Sequence, residues 1–174
     1  AIAEGEKWLG FPCAMGRVLY VNLELDRRSA LHRFAAVYKA LGIKPKNTEN
    51  LDIWNLRGRS RPLNDLAPRL IRRALKKRAA GKGYDAIIID PIYKILTGDE
   101  NSASDMSSFC NHFDAICNQL DAAVIDCHHH SKGEQGQKRA GDRASGSGVF
   151  QRDPDALVDL IEVAVDEDKR KTIA

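Results

Sequence analysis

Gly83-Tyr84-Asp85-Ala86-Ile87-Ile88-Ile89-Asp90-Pro91 is the stretch on which the architecture turns. A short unbroken apolar run with three β-branched residues suits a strand buried on both faces, as in parallel sheets, and the turn-forming Asp90-Pro91 stops it. In open α/β sheets ligands bind beyond the carboxyl ends of the strands. A carboxylate at such an end can hold Mg²⁺ beside a nucleotide. Asp90 is thus a candidate metal-binding carboxylate, the alternative being a residue that merely caps a turn.

Working outward, Val18-Leu19-Tyr20-Val21-Asn22-Leu23-Glu24 has the composition of a second strand, again with a carboxylate at its end, after a turn at Gly16-Arg17. Ser29 is then expected to open a helix with Leu31, Phe34, Ala35, Tyr38 and Leu41 on one face, ended by Gly42. Leu51 to Leu56 follows as a strand, and Arg57-Gly58-Arg59-Ser60-Arg61-Pro62 as a loop. Asn64 to about Ala80 has helical spacing, with Leu66, Leu70, Ile71, Ala74 and Leu75 inward and Arg69, Arg72, Arg73, Lys76 and Lys77 outward. Pro68 is tolerable there if it falls in the first turn.

Downstream of Asp90, Thr97 to Asp105 has loop chemistry, and Met106, Phe109, Cys110, Phe113, Ile116, Cys117 and Leu120 keep helical spacing. Ala122 to Cys127 is the next expected strand and runs into His128-His129-His130. Ser131 to Gly148 is rich in glycine and charge, and Ala156 to Val163 alternates as a late strand would. Strands alternating with helices imply right-handed crossovers and a mostly parallel sheet. There is no internal repeat or linker, so residues 1–174 are expected to form one domain.

Composition narrows the classes. At 174 residues and 43% hydrophobic the chain can bury a core, and its net charge of +3 is too mild to mark a nucleic-acid binder by charge alone. Cys13, Cys110, Cys117 and Cys127 have no CxxC spacing, which fits reduced thiols in a cytoplasmic protein. No apolar run is long enough to cross a bilayer, so no membrane partner is expected.

Three strand ends carry groups suited to one reaction: Glu24, Asp90 and the histidines. In a parallel sheet all three project to one edge. Phosphoryl transfer to water needs a metal near the β and γ phosphates, a group that activates the water, and a donor that senses the γ phosphate.

On these residues the chain resembles the RecA-like P-loop ATPases, and within them the hexameric helicase family of plasmid RepA type with its phage and mobile-element relatives. The resemblance implies a RecA-like three-layer α/β core with a twisted, mostly parallel sheet. It implies that Glu24, ending Val18 to Glu24, is the base that activates water, and that Asp90 is the Walker B carboxylate holding Mg²⁺. Ala123-Val124-Ile125-Asp126-Cys127-His128-His129-His130-Ser131-Lys132-Gly133 is similar to the family's third motif, making His128 the γ-phosphate sensor with His129 second. Ala144 to Phe150 is similar to the segment before the arginine finger. The family's finger position falls at Asp155, leaving Arg152 as the nearest arginine; the alternative for Arg152 is a surface pair with Asp153 or Asp155.

A phosphate-binding G-x-x-x-x-G-K-[ST] motif does not occur in these 174 residues. Ala1 to Gly5 is similar to the tail of the helix that follows that loop, so the first strand and Walker A are expected upstream. Lys132, Lys138, Arg139 and Arg143 lie in the loop that faces the pore in RecA-type rings, and with no aromatic residue among them phosphate contact with single-stranded DNA is expected. The triple histidine could instead hold Zn²⁺ or Ni²⁺. The basic helix face from Arg69 to Arg78 is expected to be a solvated surface.

The resulting expectation is an ATP- and Mg²⁺-dependent motor domain of a RepA-like DNA helicase, assembled as a homo-oligomeric, hexameric ring. The alternatives are a RecA-like regulatory or DNA-binding module that binds nucleotide without unwinding, and a degenerate assembly domain.

Overall fold

The computed structural model describes residues 1–129 and 148–160. Four strands, β1 (Val18–Asn22), β2 (Leu51–Asn55), β3 (Ala86–Asp90) and β4 (Ala123–Asp126), form one sheet in the order β2-β1-β3-β4. Every pairing is parallel. Between them run α1 (Arg27–Ala40), α2 (Leu63–Ala79) and α3 (Ala103–Leu120), and a single turn α4 (Val149–Arg152) follows. This is an α/β fold consistent with a RecA-like core.

Right-handed crossovers explain which face each helix takes. The connection from β1 to β2 runs one way along the sheet, whereas those from β2 to β3 and from β3 to β4 run the other way. Consequently α2 and α3 share one face, where Leu66, Leu70, Met106, Phe109 and Ile116 pack with Leu19, Val21, Ile87 and Ile89. The opposite face receives α1, whose Phe34 meets Tyr20 edge-on with ring centroids 5.1 Å apart. The chain reverses its direction of winding between β1 and β3, which opens a crevice at their carboxyl ends.

Several element boundaries differ from those read in the sequence. β1 ends at Asn22, not Glu24: one further ladder bond follows at Leu23, and the chain then turns at Glu24 and Leu25, where the Asn22 side-chain amide holds the turn. α1 starts at Arg27: Asp26 caps it by accepting from the amides of Arg28 at 2.9 Å and Ser29 at 3.1 Å. Its apolar face is narrower than its spacing suggests, since Phe34 and Tyr38 are half-buried while Leu31 and Leu41 are exposed. α2 begins at Leu63, so Pro68 is its sixth residue, past the first turn. The carbonyl of Asn64 loses its usual donor there, and both residues face solvent, where water can serve.

Ile2–Glu4 is a 3-10 turn and not an α-helical tail. Glu4 ties this turn to the loop before β2, accepting from the Tyr38 hydroxyl at 3.0 Å and the Asn47 amide at 2.9 Å. The expected late strand is not formed over residues 156–160, where Leu157, Val158 and Leu160 are exposed and pair with no strand among the described residues; residues 161–163 lie outside the described region. All four cysteines are free thiols, and no helix among the described residues is long and apolar enough to cross a membrane.

Candidate active site

Register places the polar strand ends side by side. Asn22 of β1 is opposite Asp90 of β3 and Asn55 of β2, and Ile89 is opposite Asp126 of β4. The ladder continues one step past the strands: Leu23 donates to the Asp90 carbonyl at 2.9 Å, and Cys127 to the Ile89 carbonyl at 3.0 Å. Glu24 and Asp90 therefore leave adjacent strands on the two sides of the crevice.

Asp90 is half-buried. The Tyr20 phenol donates a hydrogen bond to its carboxylate from the same face of the neighbouring strand. Burial, followed by the bond and charge of Asp90, pushes the Tyr20 hydroxyl well above its ordinary ionisation range. The phenol consequently remains a donor, and it restrains one carboxylate oxygen of Asp90.

Asn22, only 2% exposed, organises the turn that carries Glu24. Its Nδ2 donates to the Leu25 carbonyl at 2.7 Å and to Asn55 Oδ1 at 2.8 Å. Its Oδ1 accepts from the amides of Leu25 at 2.9 Å and Glu24 at 3.3 Å. All of this polarity is satisfied internally, so the turn is held against the edge of the sheet while the Glu24 side chain stays exposed. Sequence reading singled out neither Tyr20 nor Asn22. The signal for Asn22 was a lone amide in an apolar strand two residues before a carboxylate.

His128 and His129 follow β4, and they diverge. His128 is half-buried and packs edge-on against Phe150 of α4 at 4.8 Å, while the exposed His129 lies 5.5 Å from the Tyr93 ring. Asp126, half-buried at the end of β4, is pushed up from its ordinary range by burial, with nearby His128 pulling the other way. Burial also raises the Cys127 thiol to about 11, with Asp90 and Asp126 adding to it, so this thiol is a poor nucleophile at neutral pH.

Arg152 is exposed at the end of α4, where its Nε donates to the Gly148 carbonyl at 3.3 Å. Neither Asp153 nor Asp155 forms an ion pair with it, so the surface pair weighed as its alternative is not made. Lys132, Lys138, Arg139, Arg143 and His130 lie outside the described residues. Among the described residues no three His, Cys, Asp or Glu side chains converge as a metal-binding group. One carboxylate such as Asp90 is still what Mg²⁺ requires when phosphates and water supply its other ligands.

A family model for an AAA domain matches residues 1–135, a span that includes Tyr20, Asn22, Glu24, Asp90, His128 and His129. No curated protein matches the chain.

Proposed function

The chain belongs to the AAA domain family, a membership that points to an ATPase-type module, and from that premise we propose that it is the ATP-hydrolysing motor domain of a RepA-like DNA helicase. The observation that carries this reading is the pairing of β1 with β3, which sets Glu24 and Asp90 on opposite sides of the crevice where the sheet changes its winding.

In this mechanism Asp90 would hold Mg²⁺, with Tyr20 limiting the rotation of its carboxylate. The bound ion would neutralise charge on the β and γ phosphates. A carboxylate oxygen of Glu24 orients a water molecule and accepts its proton as the water oxygen attacks the γ phosphorus, while the bond from that phosphorus to the β–γ bridging oxygen breaks and ADP leaves with the bonding electrons. Exposure at the crevice mouth suits this role, because the residue must meet solvent water. His128 donates to the γ phosphate, with His129 second, and Arg152 is the candidate finger delivered by a neighbouring subunit. Residues 1–174 hold no Walker A motif, so on this reading the phosphate cradle is not among them.

The test is Glu24→Gln in a polypeptide that carries a Walker A segment before residue 1. Nucleotide binding should persist while hydrolysis slows by roughly 10²–10⁴. Undiminished turnover removes Glu24 as the base. Hydrolysis that single-stranded DNA does not stimulate would favour the module that binds nucleotide without unwinding.

A further inference from the structure

Beyond the carboxyl end of β2 lies a cleft of about 590 Å³, whose lining includes Trp54, Asn55, Arg59, Ser60, Arg61 and Arg69. Because β1 separates β2 from β3, this cleft is two strand spacings, about 10 Å, from the Asp90 strand.

Local structure explains why the arginines gather there. Leu56 and Leu63 are buried and anchor the two ends of the intervening loop. A turn at Gly58, with φ 71°, brings the Arg59 amide to the Leu56 carbonyl at 2.8 Å. Arg57, Arg59 and Arg61 are consequently left exposed on a short, fixed segment. Helix α2 adds Arg69 to the lining and extends the positive charge along its exposed side through Arg72, Arg73 and Lys76. The Arg73 guanidinium sits 5.3 Å from the centre of the Trp54 ring, joining the helix stripe to the cleft.

Charge is unbalanced at this place. Arg57 pairs with Asp26 at 3.6 Å, but Arg59, Arg61 and Arg69 make no ion pair among the described residues, and no carboxylate lines the cleft. Guanidinium forks match phosphate oxygens, and the half-buried Trp54 indole, packed against the core and with Arg73 over its ring, leaves its remaining exposed part beside them for a base. Asn55 and Ser60 add neutral hydrogen-bonding groups. Cations, an aromatic ring and amide or hydroxyl groups along one groove meet the two chemistries of an unpaired strand, its phosphodiesters and its base faces.

We propose that this cleft and the basic side of α2 bind a single-stranded polynucleotide, at a place separate from the nucleotide crevice. That helix face, by its pattern a solvated surface, gains a ligand from the cleft. Binding here requires neither ATP nor Glu24, so it stands or falls independently of the hydrolytic reading.

The chain has two tryptophans, so Trp8→Phe leaves Trp54 as the sole indole reporter. Titration with a short oligothymidine, without ATP, should quench Trp54 saturably, and affinity should fall with salt. Combining Arg59→Ala, Arg61→Ala and Arg69→Ala should weaken binding at least tenfold and flatten the log–log salt slope by about 2, at roughly 0.7 per lost phosphate contact. If circular dichroism shows the triple variant unfolded, Arg61→Ala alone should flatten the slope by about 0.7. Replacing Lys132, Lys138, Arg139 and Arg143 with alanine should leave the Trp54 signal in place. Loss of that signal in the latter variant, an unchanged salt slope in the arginine variants, tighter binding of duplex DNA, or equal affinity for inorganic polyphosphate would each overturn the proposal.

Discussion

The Tyr20 phenol donates a hydrogen bond across neighbouring strands to the carboxylate of Asp90. Tyr20 is level with Ile88, so it reaches Asp90 as a diagonal neighbour on one face of the parallel pair. Phe34 of α1 packs edge-on against the same ring. The contact therefore links the helix on one side of the sheet to the carboxylate proposed to hold Mg²⁺.

Tyr20→Phe keeps the ring and its contact with Phe34 but frees Asp90. In a polypeptide with a Walker A segment, the Mg²⁺ concentration giving half-maximal hydrolysis should rise several-fold, while thermal stability changes by the equivalent of about 1 kcal/mol. An unaltered Mg²⁺ requirement would assign Tyr20 a packing role only.

Asn22→Ala should be among the more damaging single changes at the sheet edge. It removes a buried amide that serves Leu25, Glu24 and Asn55, leaving their groups to find new partners. A loss of about 1–3 kcal/mol is expected by urea denaturation. At a temperature where the variant stays folded, kcat should fall more than nucleotide affinity, because Glu24 loses its anchored turn.

A second polar network, on the β2 side of the sheet, has an acid limb and an alkaline limb. Lys77 pairs with Asp52 at 2.8 Å, and the Tyr84 hydroxyl donates to the same carboxylate at 2.5 Å. Burial raises the Asp52 carboxyl, but these two bonds together with the charges of Lys77 and Arg17 outweigh it, and the net shift is downward. Its stabilisation is therefore present above the ordinary value of 3.8 and is lost as pH falls through the lower folded value. Lys77→Ala should cost no more than about 1 kcal/mol at pH 7, and the difference from the unaltered chain should shrink in strong acid.

The alkaline limb belongs to Tyr84, which burial and Asp52 push up from 10.0 to about 12. Its neutral form is favoured by the fold, so that contribution is intact below pH 10 and disappears between about 10 and 12. Tyr84→Phe should flatten the loss of stability over that interval, as followed by urea denaturation at stepped pH.

Arg152 is tested by mixing. A finger acts only when a neighbouring subunit delivers its cation to charge developing in the transition state. Neither an Arg152→Ala nor a Glu24→Gln protein, each with a Walker A segment, should be active alone. Mixed rings would contain interfaces joining an intact Glu24 to an intact Arg152, and some activity should return. No recovery in mixtures shown by sedimentation to form rings would leave Arg143 as the next candidate.

Local pattern was enough for the alternation of strands and helices and for the apolar run ending at Asp90. Period and β-branching report on the immediate chain, and a carboxylate after such a run needs no distant contact to be noticed. Turn chemistry was less legible: Ser29 looked like the start of α1, yet Asp26 three residues earlier holds the cap. The alternation from Ala156 also failed as a predictor over residues 156–160, because a strand forms only where a partner edge completes its hydrogen bonds.

Tertiary structure alone decided the order β2-β1-β3-β4, and with it which strand ends flank the crevice. Strand order depends on contacts between residues far apart in the chain, about which local periodicity carries no information. Asp90 could be picked out by itself, but its partner Tyr20 lies 70 positions away and became visible only when β1 and β3 paired. In the same way Arg59, Arg61 and Arg69 were separate charges on a loop and a helix until burial of Leu56 and Leu63 folded them around Trp54. The sequence by itself determined the kinds of element and the chemistry available at their ends; the packed sheet decided which of those groups meet.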